Sequence, residues 1–207
     1  MATPPDDDPE PDGPPLDGLV PPTWQRPTPL GYGHGSKEAQ FVAAPLLAAA
    51  ALGLAGVVAG VKDKLFLLSG PTLLALVLSA MALIFSIQLA YHARKFLYSG
   101  QDVYDWHRLQ DLDDQTLAGL RIEQYNDFRT WTKYNNQANS LFNKGTVLLA
   151  FGVAAALAPG PDSDQRWWRW GAAGIVLLCA IGEIYWQEKL KRAVDKRATR
   201  VRQGGPE

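Results

Sequence analysis

The chain has 207 residues, a formal net charge of -1 and a mean hydropathy of -0.12, values that are typical of a soluble domain. These averages hide a strong segregation, because the first 40 residues and the last 20 are polar while the apolar residues stand in long blocks between them. The single cysteine, Cys179, excludes an internal disulfide framework and a cysteine-based zinc site.

Residues 1–40 form an acidic segment that is rich in proline. Ten of the fifteen prolines fall here, together with a run of three aspartates at 6–8. Proline removes amide donors, and the segment has too few large apolar residues to offset the entropy of ordering, so it is predicted to be disordered. Its acidic start and the lack of an early apolar stretch argue against a signal peptide.

The first two apolar blocks are predicted to be transmembrane helices that form a hairpin over 41–91. Residues 41–61 carry no charged or hydrogen-bonding side chain, and residues 71–91 carry no charge. Each block has 21 residues, and a helix of ~20 residues rises about 30 Å, which is the thickness of the hydrocarbon core.

Two later blocks are predicted to form a second transmembrane hairpin over 141–186. Its spans are 141–158 and 167–186, with tryptophan or tyrosine at both ends of the second one. Such aromatic ends are typical of a bilayer interface. The alternative is two spans followed by a cytosolic or interfacial hairpin, which explains the aromatic ends poorly.

Small and polar residues inside the spans provide further candidates. The first span has small residues at the spacing that lets helix backbones approach closely, so this face is predicted to contact a helix of the same or another protomer. These residues are Gly53, Gly56 and Gly60. Glu183 is the one acidic residue within an apolar block, and Gln88 lies at a similar depth. An ionisable residue in a span is a functional candidate, although snorkelling or pairing with Lys144 also accounts for Glu183.

Residues 92–140 are predicted to be a cytosolic helical segment, dominated by one amphipathic helix that continues into the third span. A stripe with spacings of three and four runs along it: Leu117, Leu120, Gln124, Phe128, Trp131, Asn135, Ala138, Phe142 and Gly145. The mean spacing is that of a coiled coil, in which polar residues such as Gln124 and Asn135 set register and oligomer state. The stripe has two possible roles. It could pack on a short helix of the same chain through Val103, Trp106 and Leu109, or it could join two protomers. The two roles are compatible.

Basic residues predict the orientation in the membrane. Sixteen of the twenty Lys and Arg residues lie in 1–40, 92–145 and 187–207, and only four lie in the two short loops. Cytoplasmic segments carry the excess of Lys and Arg, so both termini are expected in the cytoplasm, at a bacterial cytoplasmic membrane. The basic tail 187–207 lacks interleaved aromatic residues, so anionic lipid headgroups are its expected partner and nucleic acid is not.

The pattern predicts no catalytic, cofactor-binding or metal-ligating residue. His107 lies near Asp102 and Asp105, but two ligands on a solvated helix are common by chance. His92 follows the second span directly, which is an ordinary interfacial position.

Two short motifs carry a resemblance to known proteins. Residues 91–94 (Tyr-His-Ala-Arg) close the first hairpin and residues 138–145 (Ala-Asn-Ser-Leu-Phe-Asn-Lys-Gly) open the second. With this layout, residues 40–190 resemble uncharacterised multi-pass membrane proteins of actinobacteria. The chain is also distantly similar to small transmembrane effectors of nucleotide-activated bacterial anti-phage systems, which implies a protein that oligomerises and impairs the membrane.

The expected fold is therefore all-α and polytopic, with two transmembrane hairpins joined by a long amphipathic cytosolic helix. The leading hypothesis is a non-enzymatic scaffold or interaction protein that acts through helix–helix association, including self-association. The alternatives are a membrane-perturbing effector or pore, and a membrane enzyme or transporter that would use Glu183, His92 or His107.

Overall fold

The computed structural model describes residues 23–25, 35, 37–60, 67–107, 113–160 and 165–203. The side chains of His107 and of the residues after Lys189, apart from Arg192, lie outside this description. The described chain is all-helical, with helices α1 (Ala39–Gly60), α2 (Ser69–Arg94), α3 (Gly100–His107), α4 (Asp114–Leu157) and α5 (Arg166–Gln203). All of them except α3 are long and apolar enough to cross a membrane, as in a multi-pass membrane protein.

Helix α1 opens with a π-helical turn, Ala39–Ala43, and continues as an α-helix from Ala44. Pro45 has no N–H for the carbonyl four residues earlier, and its ring crowds that carbonyl. A wider turn immediately before Pro45 gives this carbonyl room, because π-helical turns are inserted where the regular hydrogen-bond ladder is interrupted. Pro45 is therefore inside a continuous helix, since Lys37 and Glu38 are already helical.

Helix α2 lies at the centre of the membrane-spanning part. Its buried face alternates spacings of four and three: Thr72, Leu76, Ser79, Leu83, Ser86, Ala90 and Ala93. This face packs on α4 in the most extensive interface of the described structure, and α2 also packs on α1. From Ala44 onwards the buried residues of α1 are small, namely Ala44, Ala48, Ala51, Ala55 and Val58.

Two glycines bring α4 close to α2. A Cβ atom on Gly145 would lie 2.8 Å from Leu83 Cγ, and one on Gly152 would lie 2.7 Å from Leu76 Cδ2. The Ser79 hydroxyl donates a hydrogen bond of 2.7 Å to the Gly145 carbonyl. Since the higher-numbered glycine meets the lower-numbered leucine, the two helices are antiparallel.

Helix α5 forms an edge of the described bundle, because among the described helices it packs extensively on α4 alone. At its start, the Arg169 guanidinium donates to the carbonyls of Leu157 and Ala156, at 3.3 and 3.4 Å. The last carbonyls of a helix have no partner inside that helix, so Arg169 caps α4 and joins the two helix ends.

Candidate functional site

The polar part of the described structure is a helical unit that we call the head, comprising Thr23–Gln25, α3 and residues 113–134. At the start of α3, the Ser99 amide and hydroxyl donate to one carboxylate oxygen of Asp102, at 2.6 and 2.7 Å. The Asp102 amide donates back to the Ser99 hydroxyl at 3.2 Å. The hydrogen bonds from the Ser99 amide and hydroxyl lower the pKa of Asp102 below its usual range, so this carboxylate is charged at neutral pH.

Gln124 on α4 holds the backbone of the N-terminal segment. Its side chain is 2% exposed. The Gln25 amide donates to Gln124 Oε1 at 2.9 Å, and Gln124 Nε2 donates to the Gln25 carbonyl at 2.8 Å. One primary amide therefore binds both backbone groups of a single residue, an arrangement that satisfies a buried glutamine without another side chain.

Trp24 packs beside this contact. A Cβ atom on Gly100 would lie 2.8 Å from Trp24 Cγ, so the first residue of α3 must be small. The Trp24 ring meets the Tyr104 ring edge-on, with centroids 6.3 Å apart, and the Arg121 guanidinium lies 5.9 Å from the Trp24 ring centroid. The predicted disorder of 1–40 differs from the structure at Thr23–Gln25, which are packed, and at residues 37–40, which are helical, whereas most of the other residues before Lys37 lie outside the described part.

A second polar contact lies between the head and the apolar helices. Gln40 is 2% exposed and donates from Nε2 to Asn139 Oδ1 at 2.7 Å. Nearby, the Arg94 guanidinium lies 4.0 Å from the Phe41 ring centroid. The pairs Gln25–Gln124 and Gln40–Asn139 are both separated by 99 residues. Gln25 and Gln40, fifteen residues apart in the chain, therefore contact α4 at two points that are also fifteen residues apart and in the same order.

The head contains a cavity of about 340 Å³ between α3 and α4, open to solvent, which we call the head cavity. Three carboxylates line it: Asp102 from α3, and Glu123 and Asp127 from α4. Val103, which is 7% exposed, and Leu120 provide apolar surface. The described lining contains no Lys or Arg, so the negative charges of the cavity are not neutralised from within it.

Two aromatic side chains complete the head cavity. The Tyr98 hydroxyl donates to Asp127 Oδ2 at 3.0 Å. Burial, the hydrogen bond to Asp127 and the neighbouring carboxylate charges raise the pKa of Tyr98 above its usual range, so Tyr98 remains a donor at neutral pH. Trp106 is 87% exposed at the edge of the cavity, where an indole face can bind a cation.

The stripe predicted along α4 packs within the chain. Gln124, Trp131 and Asn135 are buried, and Phe128 is half-buried with its ring centroid 5.1 Å from that of Trp131. The expected role of the short helix is only partly correct. Val103 is buried, but Trp106 faces solvent, and Leu109 lies outside the described residues.

The small-residue face of α1 has no helix of the described chain against it. Gly53, Gly56 and Gly60 are exposed, with open space where a Cβ would stand, so a contact with another helix of the same protomer is wrong for this face. Contact between protomers stays a prediction.

The polar candidates of the spans do not come together. Gln88 is exposed, and Glu183 is exposed and accepts a hydrogen bond of 3.3 Å from Gln187. Within the described residues Glu183 forms no ion pair with Lys144, so that predicted pairing is wrong. His92 is exposed beside Tyr91, and the described part contains no group of three His, Cys, Asp or Glu that could hold a metal ion.

The residues that sequence analysis missed are Trp24, Gln25 and the acidic lining of the head cavity. The contacts of Trp24 and Gln25 could have been suspected, because a tryptophan is unusual in a proline-rich segment that is predicted to be disordered. Asp102 was considered only as a neighbour of His107, and Glu123 and Asp127 gave no signal, because only the packing of α3 on α4 brings the three carboxylates together.

Comparison of the chain with models of protein families, with curated proteins and with solved structures finds no significant match. The resemblance to actinobacterial membrane proteins and to anti-phage effectors therefore stays a prediction. Function is therefore inferred from the chemistry of the head and from the arrangement of the helices.

Proposed function

We propose that the protein is a non-enzymatic membrane scaffold whose head binds a cationic side chain of a partner protein at the cytoplasmic face of a bacterial membrane. The observation that carries this proposal is the head cavity. It combines three carboxylates with apolar surface and an exposed indole, within the ~300–1,000 Å³ range of ligand pockets.

A lysine or arginine side chain fits this combination. Its aliphatic stem would lie on Val103 and Leu120, because such stems cover apolar surface while the charged end stays in a polar setting. Its charged end would lie between Glu123 and Asp127, with the Trp106 indole at the open side. Charge-assisted hydrogen bonds and cation–π contact both favour a guanidinium here.

The length of α4 supports an anchoring role. This helix has 44 residues and passes without a break from the head to the end of its apolar part. At about 1.5 Å per residue it is roughly 66 Å long. A partner bound at the head cavity would therefore be coupled to the membrane through one rigid element.

The charge distribution supports cytoplasmic placement of the head. The segments 1–40, 92–145 and 187–207 hold sixteen of the twenty basic residues, and we propose that all three lie on the membrane side of the head. We propose that the basic tail 187–207 lies beside anionic headgroups of the same membrane face.

The proposal is tested with the full-length protein in detergent micelles. We expect a peptide with two arginines to bind with a dissociation constant that Glu123→Gln and Asp127→Asn each weaken about five- to tenfold, since each variant removes one charge contact. Binding is followed by fluorescence anisotropy of a labelled peptide, at low and at physiological salt.

Two controls separate this site from general attraction to acidic surface. Asp105→Asn removes an exposed carboxylate of the same helix α3 that does not line the cavity, so binding should not change. A peptide with citrulline in place of arginine keeps the shape without the charge and should not bind. Equal weakening by Asp105→Asn and Asp127→Asn would refute the proposed site.

A membrane-perturbing effector is the second candidate, and the edge position of α5 favours it. Ile175, Leu178 and Ile181 are 64%, 71% and 57% exposed, so a wide apolar face is open to lipid or to another copy. This candidate requires oligomers by light scattering and dye release from liposomes under the same conditions. A strict monomer at all concentrations would exclude it and would also remove self-association from the scaffold proposal.

A further inference from the structure

A lateral groove lies between α4 and α5, at the head-side limit of their apolar parts. It has a volume of about 440 Å³ and is open on one side, and we call it the membrane groove. Its walls contain six further residues besides the two charged ones, Lys144 on α4 and Glu188 on α5. It shares no lining residue with the head cavity.

The polarity of the membrane groove changes along its length. On α4, Ser140, Asn143 and Lys144 precede Val147 and Leu148. On α5, which returns towards the head, Ile184 precedes Gln187 and Glu188.

Both helices therefore place polar residues at the head end of the groove and apolar residues about 6 Å deeper, one helical turn along the axis. The same order of polar and apolar layers is found along a phospholipid at the edge of a bilayer.

The charges in the groove have both signs. Lys144 is exposed and has no ion pair within the described residues. The Glu188 carboxylate lies 3.5 Å from Arg192, but both side chains are more than half exposed, and such a pair contributes little. One cation and one accessible carboxylate therefore face the same opening.

We propose that the membrane groove binds a phospholipid with an ethanolamine headgroup. The Lys144 ammonium would bind the lipid phosphate, with Asn143 and Ser140 as further donors. The Glu188 carboxylate would accept hydrogen bonds from the lipid ammonium. One acyl chain would lie along Val147, Leu148 and Ile184, which gives that chain a protein surface in place of other lipid tails.

Native mass spectrometry of the full-length protein tests this proposal. The protein in detergent is mixed with equal amounts of phosphatidylethanolamine and phosphatidylglycerol of the same acyl chains. We expect the first bound lipid to be phosphatidylethanolamine in at least about a fivefold excess. Lys144→Gln should lower total retention of lipid about fivefold, and Glu188→Gln should abolish the preference between the two headgroups while leaving retention.

Matched controls lie on the same helix α5, outside the groove. Lys189→Gln and Glu183→Gln each change an exposed charge that does not line it, so retention and preference should stay as in the unaltered protein. Equal binding of the two lipids by the unaltered protein would overturn the ethanolamine assignment, and unchanged retention in Lys144→Gln would overturn the site. Neither result depends on peptide binding at the head cavity.

Discussion

Among single residues, Gly145 and Gly152 have the tightest surroundings in the described bundle. Each stands opposite a leucine of α2 at a distance that a Cβ atom could not keep. Gly53, Gly56 and Gly60 have the spacing usually associated with helix contact, yet they face outwards. Spacing alone therefore could not predict which glycines pack, because the packed face depends on which helix comes to lie beside it.

The contrast between these glycines gives the first prediction. Gly145→Ala should lower the free energy of unfolding by about 1–3 kcal/mol, because Leu83 must shift to admit the methyl group. Gly56→Ala should leave stability unchanged or raise it by up to ~1 kcal/mol, since alanine favours a helix and the site is open.

Thermal unfolding in one detergent compares the two variants. At roughly 2–4 °C per kcal/mol for a chain of this size, the Gly145→Ala midpoint should fall clearly below that of Gly56→Ala. A lower midpoint for Gly56→Ala than for Gly145→Ala would show that the outward face of α1 is a contact between protomers.

At the scale of helices, the four apolar helices could be predicted from hydropathy because each has a long apolar block with few charges. The stripe on α4 could be recognised in the sequence because it contains large apolar side chains. The matching face of α2 was not recognised, although Thr72, Leu76, Ser79 and Leu83 follow the same alternation of four and three. Hydroxyl and small side chains differ little in hydropathy from the apolar residues around them, so their periodicity is hard to detect in the sequence.

The contact of Gln25 with α4 gives a prediction at this scale. Gln124→Leu removes both hydrogen bonds to the Gln25 backbone. At about 1 kcal/mol for each bond, the segment around Trp24 should open more than about tenfold more often. Hydrogen exchange of a peptide that contains residues 23–25 measures this opening.

The control for this prediction is Gln115→Leu, an exposed glutamine near the start of the same helix. It should leave exchange at 23–25 unchanged. Slow exchange in the Gln124→Leu variant would mean that packing of Trp24 on Gly100 holds the segment without the hydrogen bonds.

For the whole molecule, the predicted orientation is open to a direct measurement. In a Cys179→Ser background, Gln115→Cys marks the head and Gln165→Cys marks the turn before α5, at the opposite end of α4. A membrane-impermeant maleimide should label Gln165→Cys in intact cells and Gln115→Cys only after permeabilisation, because the basic segments stay in the cytoplasm. The reverse pattern would contradict the orientation and the cytoplasmic head.

The sequence could predict the membrane-spanning part of the molecule better than the head. A long apolar block is enough by itself to indicate a membrane span, whereas the head cavity depends on where two separate segments of the chain, 98–106 and 120–127, meet. Asp102 illustrates this, because the same carboxylate is a helix cap and a cavity wall. Only the role as a helix cap can be recognised from neighbouring residues in the sequence, because a serine stands three residues before the aspartate.

The separation of 99 residues between Gln25 and Gln124 also sets an order of events during synthesis. At ~5–20 residues per second, the ribosome makes Gln124 roughly 5–20 s after Gln25. Helices α1 and α2 are complete within that interval, before the partner of Trp24 and Gln25 exists. The head therefore assembles after α1 and α2 have been made, and insertion of the first two helices proceeds without it.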